Sequence, residues 1–395
     1  MPLTTDAPLA GIRVIELARI LAAPWAGQVL ADLGADVIKV EQPGRGDDTR
    51  HWGPPFVTGA ENEDLGAAYY HACNRGKRSI AVDIATSEGQ QTIRRLAASA
   101  DVLIENFKVG GLAKYGLDAA SLRSLNPRLV YCSITGFGQT GPYAGRAGYD
   151  VMIQGMSGIM ALIGEPDGEP MKMGVAFADI FTGLYAVIAI QAALAGRAQT
   201  GNGAFIDMAL LDAMVAVLAN QAMNYLVTGR EPPRLGNAHP NVVPYEVFPA
   251  CDGHVIVAVG NDRQFKEFCR LLGHDDLAGD ARFASNADRV ENREALIPAL
   301  KAATAEWPAA ELLAALEAGG VPAGPINGLA AIFADPQIAA RQLVIERSVD
   351  GSPVPGLRTP IMLDGRAAAS DRPAPRLGQH TEEILAELAS LEDGK

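Results

Sequence analysis

Short apolar, β-branched runs alternate with stretches of helical periodicity over the first third of the chain. Each run has the length of an ordinary strand. The predicted strands are Ile12–Leu17, Val37–Glu41, Ser79–Ile84, Val102–Phe107 and Leu129–Ile134. Strands that alternate with helices form a parallel sheet, because each helix carries the chain back to the start of the next strand. The pattern therefore predicts an α/β domain.

Helical periodicity and helix-end residues mark the elements between and beyond these strands. Pro24 fits the first turn of a helix, and Gly34 can end the same helix. The predicted helices are Ala26–Asp32, Gly89–Ala98, a long helix that follows Asp179, and Phe205–Leu226. An aspartate that stands before a long apolar helix is, on local grounds, an N-cap.

A loop rich in Pro, Asn and Gly, Gly229–Pro244, predicts a boundary. Strand and helix signals that follow it predict a smaller α+β domain, with elements at Tyr245–Phe248, His254–Val259, Arg263–Leu272, Arg293–Ala302 and Ala309–Glu317. Recurrent prolines after Asp335 predict an extended connection before a final helix near Thr381–Leu391. We therefore expect three segments, 1–228, 229–334 and 335–395.

Composition is that of a globular protein, with 48% hydrophobic and 20% charged residues among 395. The net charge of −13 is spread along the chain, which argues against a nucleic-acid partner. The four cysteines form no CxxC pair and no metal-ligand spacing with the six histidines, so we expect no metal.

The location follows from two negative observations. The N-terminus has no basic region followed by an apolar run, so it does not resemble a signal peptide, and we expect a cytoplasmic protein. The apolar stretches Val175–Gly196 and Ala209–Val227 contain polar residues, and we expect core helices and no membrane partner.

Familiar catalytic fingerprints are absent from the sequence. No GxGxxG follows the first predicted strand, and GxxxxGK[ST], GxSxG and HExxH do not occur, which argues against the commonest nucleotide, hydrolase and zinc-protease sites. A basic cluster, Arg75-Gly76-Lys77-Arg78, precedes the third predicted strand. It is either a solvated turn or a binding site for an anion.

Six segments, taken in order, resemble the class III CoA-transferases, the family of formyl-CoA transferase, carnitine CoA-transferase and α-methylacyl-CoA racemase. The segments are Gly-Ile-Arg-Val-Ile-Glu-Leu (11–17), Leu-Gly-Ala-Asp-Val-Ile-Lys-Val-Glu (33–41), Asn-Arg-Gly-Lys-Arg-Ser (74–79), Asp-Val-Leu-Ile-Glu-Asn-Phe (101–107), Ser-Ile-Thr-Gly-Phe-Gly-Gln-Thr-Gly-Pro (133–142) and Leu-Gly-Gln-His-Thr (377–381). Residues 46–56 and 243–245 are most similar to the glutarate (dicarboxylate) CoA-transferases.

The resemblance implies a fold that periodicity does not reveal. Members of the family are homodimers in which each chain forms a ring threaded by its partner. A large Rossmann-like domain is completed by the returning C-terminal segment, and a smaller α+β domain is inserted. The proline-rich stretch after Asp335 suits such a return.

The resemblance also identifies Asp179, in residues 174–183, as the family's nucleophile. Its carboxylate would take the acyl group from an acyl-CoA and then pass CoA to a free carboxylic acid. CoA would be a substrate, and no cofactor would be bound permanently. Because a helix N-terminus favours an anion by about 0.3–1 kcal/mol, we expect the carboxylate to be kept ionised.

Alignment with the family implies a set of CoA contacts at strand ends, where α/β sheets bind ligands. Glutamine and arginine stand in some members where this chain has Leu21 and Gln42. The implied contacts are Leu21, Ala22, Gln42, Arg75, Arg78, Val82, Asp83, Ile84, Ala85, Asn106, Phe107, Lys114, Arg146 and Tyr149.

The similarity to glutarate enzymes implies a succinyl-CoA-type donor and a short dicarboxylic acceptor. A dicarboxylate needs a cation for the carboxylate that does not react, and Arg75 is the candidate because a guanidinium binds a carboxylate bidentately.

Two other functions remain open. A 2-methylacyl-CoA racemase of the same fold would need a histidine before the aspartate of Gly148-Tyr149-Asp150, and tyrosine is a poor base at neutral pH. A non-catalytic acyl-CoA-binding protein would be expected to have lost the nucleophile.

Overall fold

The computed structural model describes residues 7–393, which fall into two compact units. The first unit comprises 7–159, 172–226 and 336–393, and the second comprises Met160–Met171 and Val227–Asp335. The strands are β1 (Arg13–Leu17), β2 (Asp36–Glu41), β3 (Phe56–Thr58), β4 (Asp64–Ala67), β5 (Arg78–Ala81), β6 (Val102–Glu105), β7 (Val130–Thr135), β8 (Phe205–Ala209), β9 (Tyr245–Ala250), β10 (Gly253–Ala258), β11 (Ala323–Pro325), β12 (Val344–Val349), β13 (Ser352–Leu357), β14 (Met362–Leu363) and β15 (Arg366–Ala367).

Helices connect and cover these strands, and short 3₁₀ turns occur at Asp48–His51, Ala60–Asn62, Ala113–Tyr115 and Ala281–Phe283. The α-helices are α1 (Ala22–Asp32), α2 (Ala68–Asn74), α3 (Ser87–Ser99), α4 (Ala119–Leu125), α5 (Asp150–Met156), α6 (Ile159–Leu162), α7 (Phe177–Thr200), α8 (Leu210–Ala216), α9 (Ala219–Thr228), α10 (Asp262–Leu271), α11 (Asp275–Gly279), α12 (Asn286–Glu291), α13 (Arg293–Thr304), α14 (Ala309–Ala318), α15 (Leu329–Phe333), α16 (Pro336–Ala340) and α17 (Thr381–Asp393).

A parallel six-stranded sheet organises the first unit, in the order β5-β2-β1-β6-β7-β8. Strand order reverses between β1 and β6, as in a Rossmann sheet. The five strands predicted from the sequence all lie in this sheet. The α/β prediction is therefore confirmed.

The sixth strand corrects the helix predicted over Phe205–Leu226. Residues 205–209 form β8, which pairs with β7 through Tyr131 and Phe205 at the edge of the sheet. The rest of the segment is divided into α8 and α9, which meet at a bend of 75° where Ala219 has a φ of +46°. An apolar run of this kind is compatible with either a strand or a helix. Here its parallel pairing with β7 makes it a strand.

Helices cover both faces of the sheet. On one face Val14, Ile104 and Cys132 pack against α1 and α7. On the other face the alternating residues Ile15 and Leu103 pack against α3, α4 and the C-terminal helix α17. The first unit is therefore a three-layer α/β/α structure in which strand alternation assigns each side chain to one of two cores.

The C-terminal helix α17 is attached to the edge strand β5 by specific bonds. His380 N donates to Ser79 O at 2.9 Å, and Ala81 N donates to Thr381 Oγ1 at 3.0 Å. Arg78 reaches Glu383 at 2.9 Å and Glu387 at 2.6 Å on the same helix. The end of the chain thus completes one face of the large sheet.

The second unit has its own core. Strands β9, β10 and β11 form an antiparallel sheet, and helices α10 to α14 surround a cluster that includes Phe248, Phe265 and Phe268. Fully buried Arg289 donates to Val243 O and Phe283 O and pairs with Asp262. This unit has the α+β character that the sequence predicts.

Helix α7 is long and apolar enough to cross a membrane, and among residues 7–393 the bent pair α8 and α9 is the one other candidate by length and composition. The inner face of α7 packs into the core through Ala178, Ala186 and Ile190. Ile188 on its outer face is 62% exposed.

Candidate active site

A cavity of about 560 Å³ opens at the carboxyl ends of β1 and β6, where the strand order reverses. Open α/β sheets bind ligands at this position because the loops after the two strands diverge. The cavity wall is formed by Arg19–Ala22 after β1, Asn106–Val109 after β6, residues 134–136 at the end of β7, residues 144 and 146–150 around the start of α5, and by Arg45, Asp48, Trp52, Asp179 and Leu210.

Four buried charged side chains pack beneath the loop after β1 and form ion pairs with one another. Lys39 Nζ lies 2.9 Å from Glu16 Oε1 and 2.8 Å from Asp47 Oδ2, and Lys77 Nζ lies 2.7 Å from Glu16 Oε2. All four side chains are fully buried. Gly27 is required beside them, because a Cβ there would lie 1.9 Å from Glu16 Oε2.

The cluster fixes the backbone of the cavity wall through two hydrogen bonds. Lys39 Nζ donates to Ala18 O at 2.9 Å, and Ile20 N donates to Asp47 Oδ1 at 3.3 Å. Ile20 has a φ of +74°, a conformation that a β-branched residue adopts only when its surroundings impose it.

Opposite charges set the pKa values within the cluster. Burial alone would raise the pKa of Asp47, but Lys39 and the hydrogen bonds from Thr49 lower it to about 2. Burial would lower the pKa of Lys39, yet Asp47 and Glu16 outweigh burial and raise it well above its ordinary value. Lys39 and Asp47 therefore stay charged, whereas burial lowers the pKa of Lys77 despite its ion pair with Glu16.

Asn106 joins the two loops across the point where the strand order reverses. Its Oδ1 accepts from Arg19 N at 3.1 Å, and its Nδ2 donates to Arg19 O at 2.7 Å. Glu105, just before it, accepts from Phe107 N at 2.7 Å, and burial raises the pKa of this carboxyl to about 7. Both loops are thus held by side chains at the strand ends.

Asp179 lies in the first turn of α7, and the interpretation of this residue as the N-cap is wrong. The N-cap is Ala176, whose side chain cannot accept a hydrogen bond. Asp150 supplies the acceptor instead, since its Oδ1 lies 2.8 Å from Ala178 N and 3.4 Å from Asp179 N. The helix begins three residues earlier than an Asp179 cap would require, and the distant Asp150 carboxylate accepts from its first turn.

The charge state expected for Asp179 also needs correction. Burial raises the pKa of Asp179 to about 7, and the nearby Asp150 carboxylate adds to the rise. A pKa change of this size corresponds to roughly 4 kcal/mol, against the 0.3–1 kcal/mol that a helix N-terminus supplies. Asp179 is therefore a basic carboxylate that titrates near neutral pH.

Tyr69 is a neighbour of Asp179 that the sequence analysis missed. Burial raises the pKa of Tyr69 to about 12, and the negative charge of Asp179 is the next cause. Its ring meets Trp52, which lines the cavity, edge to face at 5.4 Å between centroids. No motif marks Tyr69, because α2 places it at the site from outside the six parallel strands.

The structure brings together seven of the predicted site residues in the wall of this one cavity. They are Leu21, Ala22, Asn106, Phe107, Arg146, Tyr149 and Asp179. The cavity also has three cations, Arg19, Arg45 and Lys108, that were not predicted. All three lie in the loops after predicted strands, so the sequence contained a signal by which they could have been found.

The other predicted residues lie outside this wall. Gln42 forms the turn after β2, where its carbonyl accepts from Gly46 N. Residues 82–85 (Val82, Asp83, Ile84 and Ala85) form the turn before α3, in which Ala85 N donates to Asp83 Oδ1 at 2.9 Å. Lys114 lies 4.6 Å from the ring centre of Tyr115. Their contacts with CoA stay predictions.

Arg75 and Arg78 require a correction, because their guanidinium groups are already bound within the protein. Arg75 is buried, pairs with both carboxylate oxygens of Asp32 and also donates to Leu357 O. Arg78 is bound to Asp36 at 2.6 Å and to the glutamates of α17. Neither side chain faces the cavity, so the basic cluster is structural.

Comparisons of the whole chain with known proteins agree on one family. The model of CoA-transferase family III matches residues 9–381. A protein of Agrobacterium fabrum named succinate–glutarate CoA-transferase is 60% identical over 98% of this chain and 96% of its own. The human succinyl-CoA:glutarate CoA-transferase is 44% identical over 98% of this chain and 87% of its own.

A solved structure of a related protein has the same fold. A CaiB/BaiF family protein from Brucella suis has 61% sequence identity and a TM-score of 0.86. The match covers 97% of this chain and 99% of the other.

The structural role of Arg75 leads to a test of stability. Replacing Arg75 by Met leaves the buried Asp32 carboxylate without its guanidinium, which we expect to cost about 3–5 kcal/mol. Urea denaturation should show this loss. In the double variant Arg75→Met, Asp32→Leu, the unpaired charge is removed but Thr359 N and Ser370 N lose their acceptor, so part of the lost stability should return. An Arg75→Met protein as stable as the parent would contradict the assignment.

Proposed function

Because the chain belongs to CoA-transferase family III, and so transfers CoA between carboxylic acids, we propose that it moves CoA from succinyl-CoA to glutarate through covalent intermediates on Asp179. The observation that carries the mechanism is the position of Asp179. Its basic carboxylate stands in the first turn of a helix, in the wall of the cavity where an α/β sheet binds its ligand.

The first half of the reaction forms and then uses an anhydride. A carboxylate oxygen of Asp179 attacks the acyl carbonyl carbon, and the carbon–sulfur bond breaks as CoA leaves as its thiolate. The thiolate then attacks the Asp179 carbonyl carbon of the anhydride. The bond to the bridging oxygen breaks, and the donor leaves as free carboxylate with an aspartyl-CoA thioester left behind.

The acceptor acid reverses these steps. Its carboxylate attacks the aspartyl thioester and expels the thiolate, and the thiolate then attacks the acceptor carbonyl of the new anhydride. Asp179 is released as a carboxylate, and the acceptor leaves as its CoA thioester. Because thioester energy is retained throughout, the reaction needs neither ATP nor a metal.

The cavity wall supports this chemistry through its two fixed loops. Backbone at Leu21 and Ala22 and the residues Asn106 and Phe107 are proposed to contact CoA, whose phosphates would meet cations such as Lys108. A rigid wall favours catalysis, because reacting groups held in position lose less entropy at the transition state.

The nucleophile is tested by substitution. Asp179→Ala should lower transfer by about 10³-fold or more, because the covalent route is lost, while CoA binding and the fold persist. Transfer is measured from succinyl-CoA to glutarate by mass spectrometry. Asp212→Asn is the matched control, since Asp212 stands in the first turn of α8 outside the cavity wall. Retention of more than a few per cent of transfer by Asp179→Ala would contradict the proposal.

A dicarboxylate acceptor requires a cation in the cavity, and Arg146 replaces Arg75 as our candidate. Its guanidinium stacks 4.6 Å from the ring centre of Tyr143 and 5.4 Å from that of Phe137. Within the part of the chain that the structure describes, no carboxylate pairs with Arg146, whereas Arg19 and Arg45 both bind Asp48. Arg146 is therefore available to a ligand.

The acceptor is tested by a screen of free acids against succinyl-CoA. We expect glutarate and acids of similar length to be preferred over monocarboxylates of equal length. Arg146→Lys should raise KM for dicarboxylates about tenfold more than KM for the monocarboxylates, because lysine offers only a point charge. A preference for monocarboxylates would overturn the substrate assignment. Exchange of the α-hydrogen with deuterated water in the absence of an acceptor would instead identify a racemase.

We also propose a cytoplasmic homodimer of interlocked rings, as the family resemblance implies. Exposed apolar side chains on two helices of the first unit support an interface, because monomeric proteins seldom leave such residues grouped at the surface. They are Leu184, Tyr185 and Ile188 on α7, and Met223, Tyr225 and Leu226 on α9.

Interlocking makes a specific prediction about subunit exchange. Two threaded rings cannot separate without unfolding, so a mixture of isotope-labelled and unlabelled dimers should remain unmixed for days in native buffer. Mixing should occur only after denaturation and refolding. Native mass spectrometry distinguishes the species, and hybrid dimers formed within hours, or a monomer at micromolar concentration, would contradict the arrangement.

A further inference from the structure

Two carboxylates share the N-terminus of α7. The Oδ1 atom of Asp150 accepts from Ala178 N at 2.8 Å and from Asp179 N at 3.4 Å. Asp150 belongs to a different helix, α5, and is separated from Asp179 by 28 intervening residues. The first turn of the nucleophile helix is therefore held by a charged group from elsewhere in the chain.

The second oxygen of Asp150 is also bound. Gln154, fully buried one turn later on α5, donates from Nε2 to Asp150 Oδ2 at 2.7 Å. Its Oε1 accepts from Met173 N at 2.8 Å, in the segment that leads into α7. Gln154 thus orients the Asp150 carboxylate and fixes the approach to the helix with the same side chain.

The charges around Asp179 come from several elements. Asp150 faces it from α5 and Tyr69 from α2. The cavity wall adds the cations Arg19, Arg45, Lys108 and Arg146 and the anion Asp48. Burial is the main cause of the raised pKa of Asp179, and Asp150 is the one neighbouring charge that contributes clearly.

We propose that Asp150 is a positioning residue for the reaction: its carboxylate caps the turn that carries Asp179 and places a second negative charge beside the attacking carboxylate. The inference rests on the proposed role of Asp179. A more basic carboxylate is a stronger nucleophile towards the thioester carbon, in the Brønsted sense. A neutral cap would hold the same backbone N–H groups but leave Asp179 a weaker base.

The sign of the pH dependence follows directly. Asp179 attacks only when ionised, so kcat/KM should fall as pH drops through the pKa of Asp179, which is about 7 in the parent protein. Removing the charge of Asp150 lowers that pKa, so the acidic limb of the profile should move to lower pH. The rate at high pH should fall at the same time, because the ionised carboxylate is less basic.

The experiment compares pH profiles of kcat/KM between pH 5.5 and 9 for the full-length protein. Asp150→Asn and Asp150→Ser each keep an oxygen that can cap the helix without its charge. We expect the acidic limb to move down by about one pH unit and the plateau to fall several-fold. Two neutral caps are used so that a folding failure in one leaves the other informative.

A second variant separates charge from position. Gln154→Met keeps the Asp150 charge but removes its orienting bond, so it should lower kcat at every pH without moving the acidic limb. If the Asp150 variants behave in this same way, Asp150 has only a structural role and the proposal is wrong. A parent profile whose limb lies near pH 4 would also overturn it. Loss of the proposed nucleophile role would appear separately, as activity in Asp179→Ala.

Discussion

Four fully buried charges at the carboxyl end of β1 are the constraint on which the site depends. Glu16, Lys39, Asp47 and Lys77 are linked by three ion pairs in series, and Lys39 and Asp47 also form hydrogen bonds to the backbone of the loop after β1. Removing one member would leave a buried charge without its partner, which costs several kcal/mol. The cluster therefore fixes the left-handed turn at Ile20 and, through Asn106, the loop after β6.

The electrostatics around Asp179 are the opposite of those in the cluster. Every charge beneath the β1 loop has an opposite partner, whereas Asp179 has another carboxylate beside it and is largely enclosed. The first arrangement fixes the backbone of the β1 loop and keeps Lys39 and Asp47 ionised. The second gives a carboxylate that gains and loses its proton near neutral pH, a property that would serve the attack on a thioester proposed for Asp179. The buried cluster thus pairs opposite charges, whereas Asp179 lies beside a like charge.

Much of the fold could be read from the sequence, because β-branched runs and helix-end residues record local structure. Strand β8 could not be read in this way, because its apolar residues fit the spacing of a helix as well as that of a strand. It forms a strand because it pairs with β7. Seven predicted residues do meet in one cavity, and four of them, Leu21, Ala22, Asn106 and Phe107, follow the ends of β1 and β6. The cap by Asp150 and the pairing of Arg75 with Asp32 are contacts between residues far apart in sequence, and no local pattern records them.

Isotope transfer tests the central claim, a covalent bond between the acyl group and Asp179. If glutarate carries ¹⁸O in both carboxylates, breakage of the anhydride at the acceptor carbonyl leaves one labelled oxygen on Asp179 in each turnover. The tryptic peptide 173–197 contains Asp179 as its single carboxylic side chain. After turnover with succinyl-CoA its mass should rise by the substitution of ¹⁸O for ¹⁶O, first at one oxygen and then at both. Full turnover with no label in this peptide would contradict the mechanism.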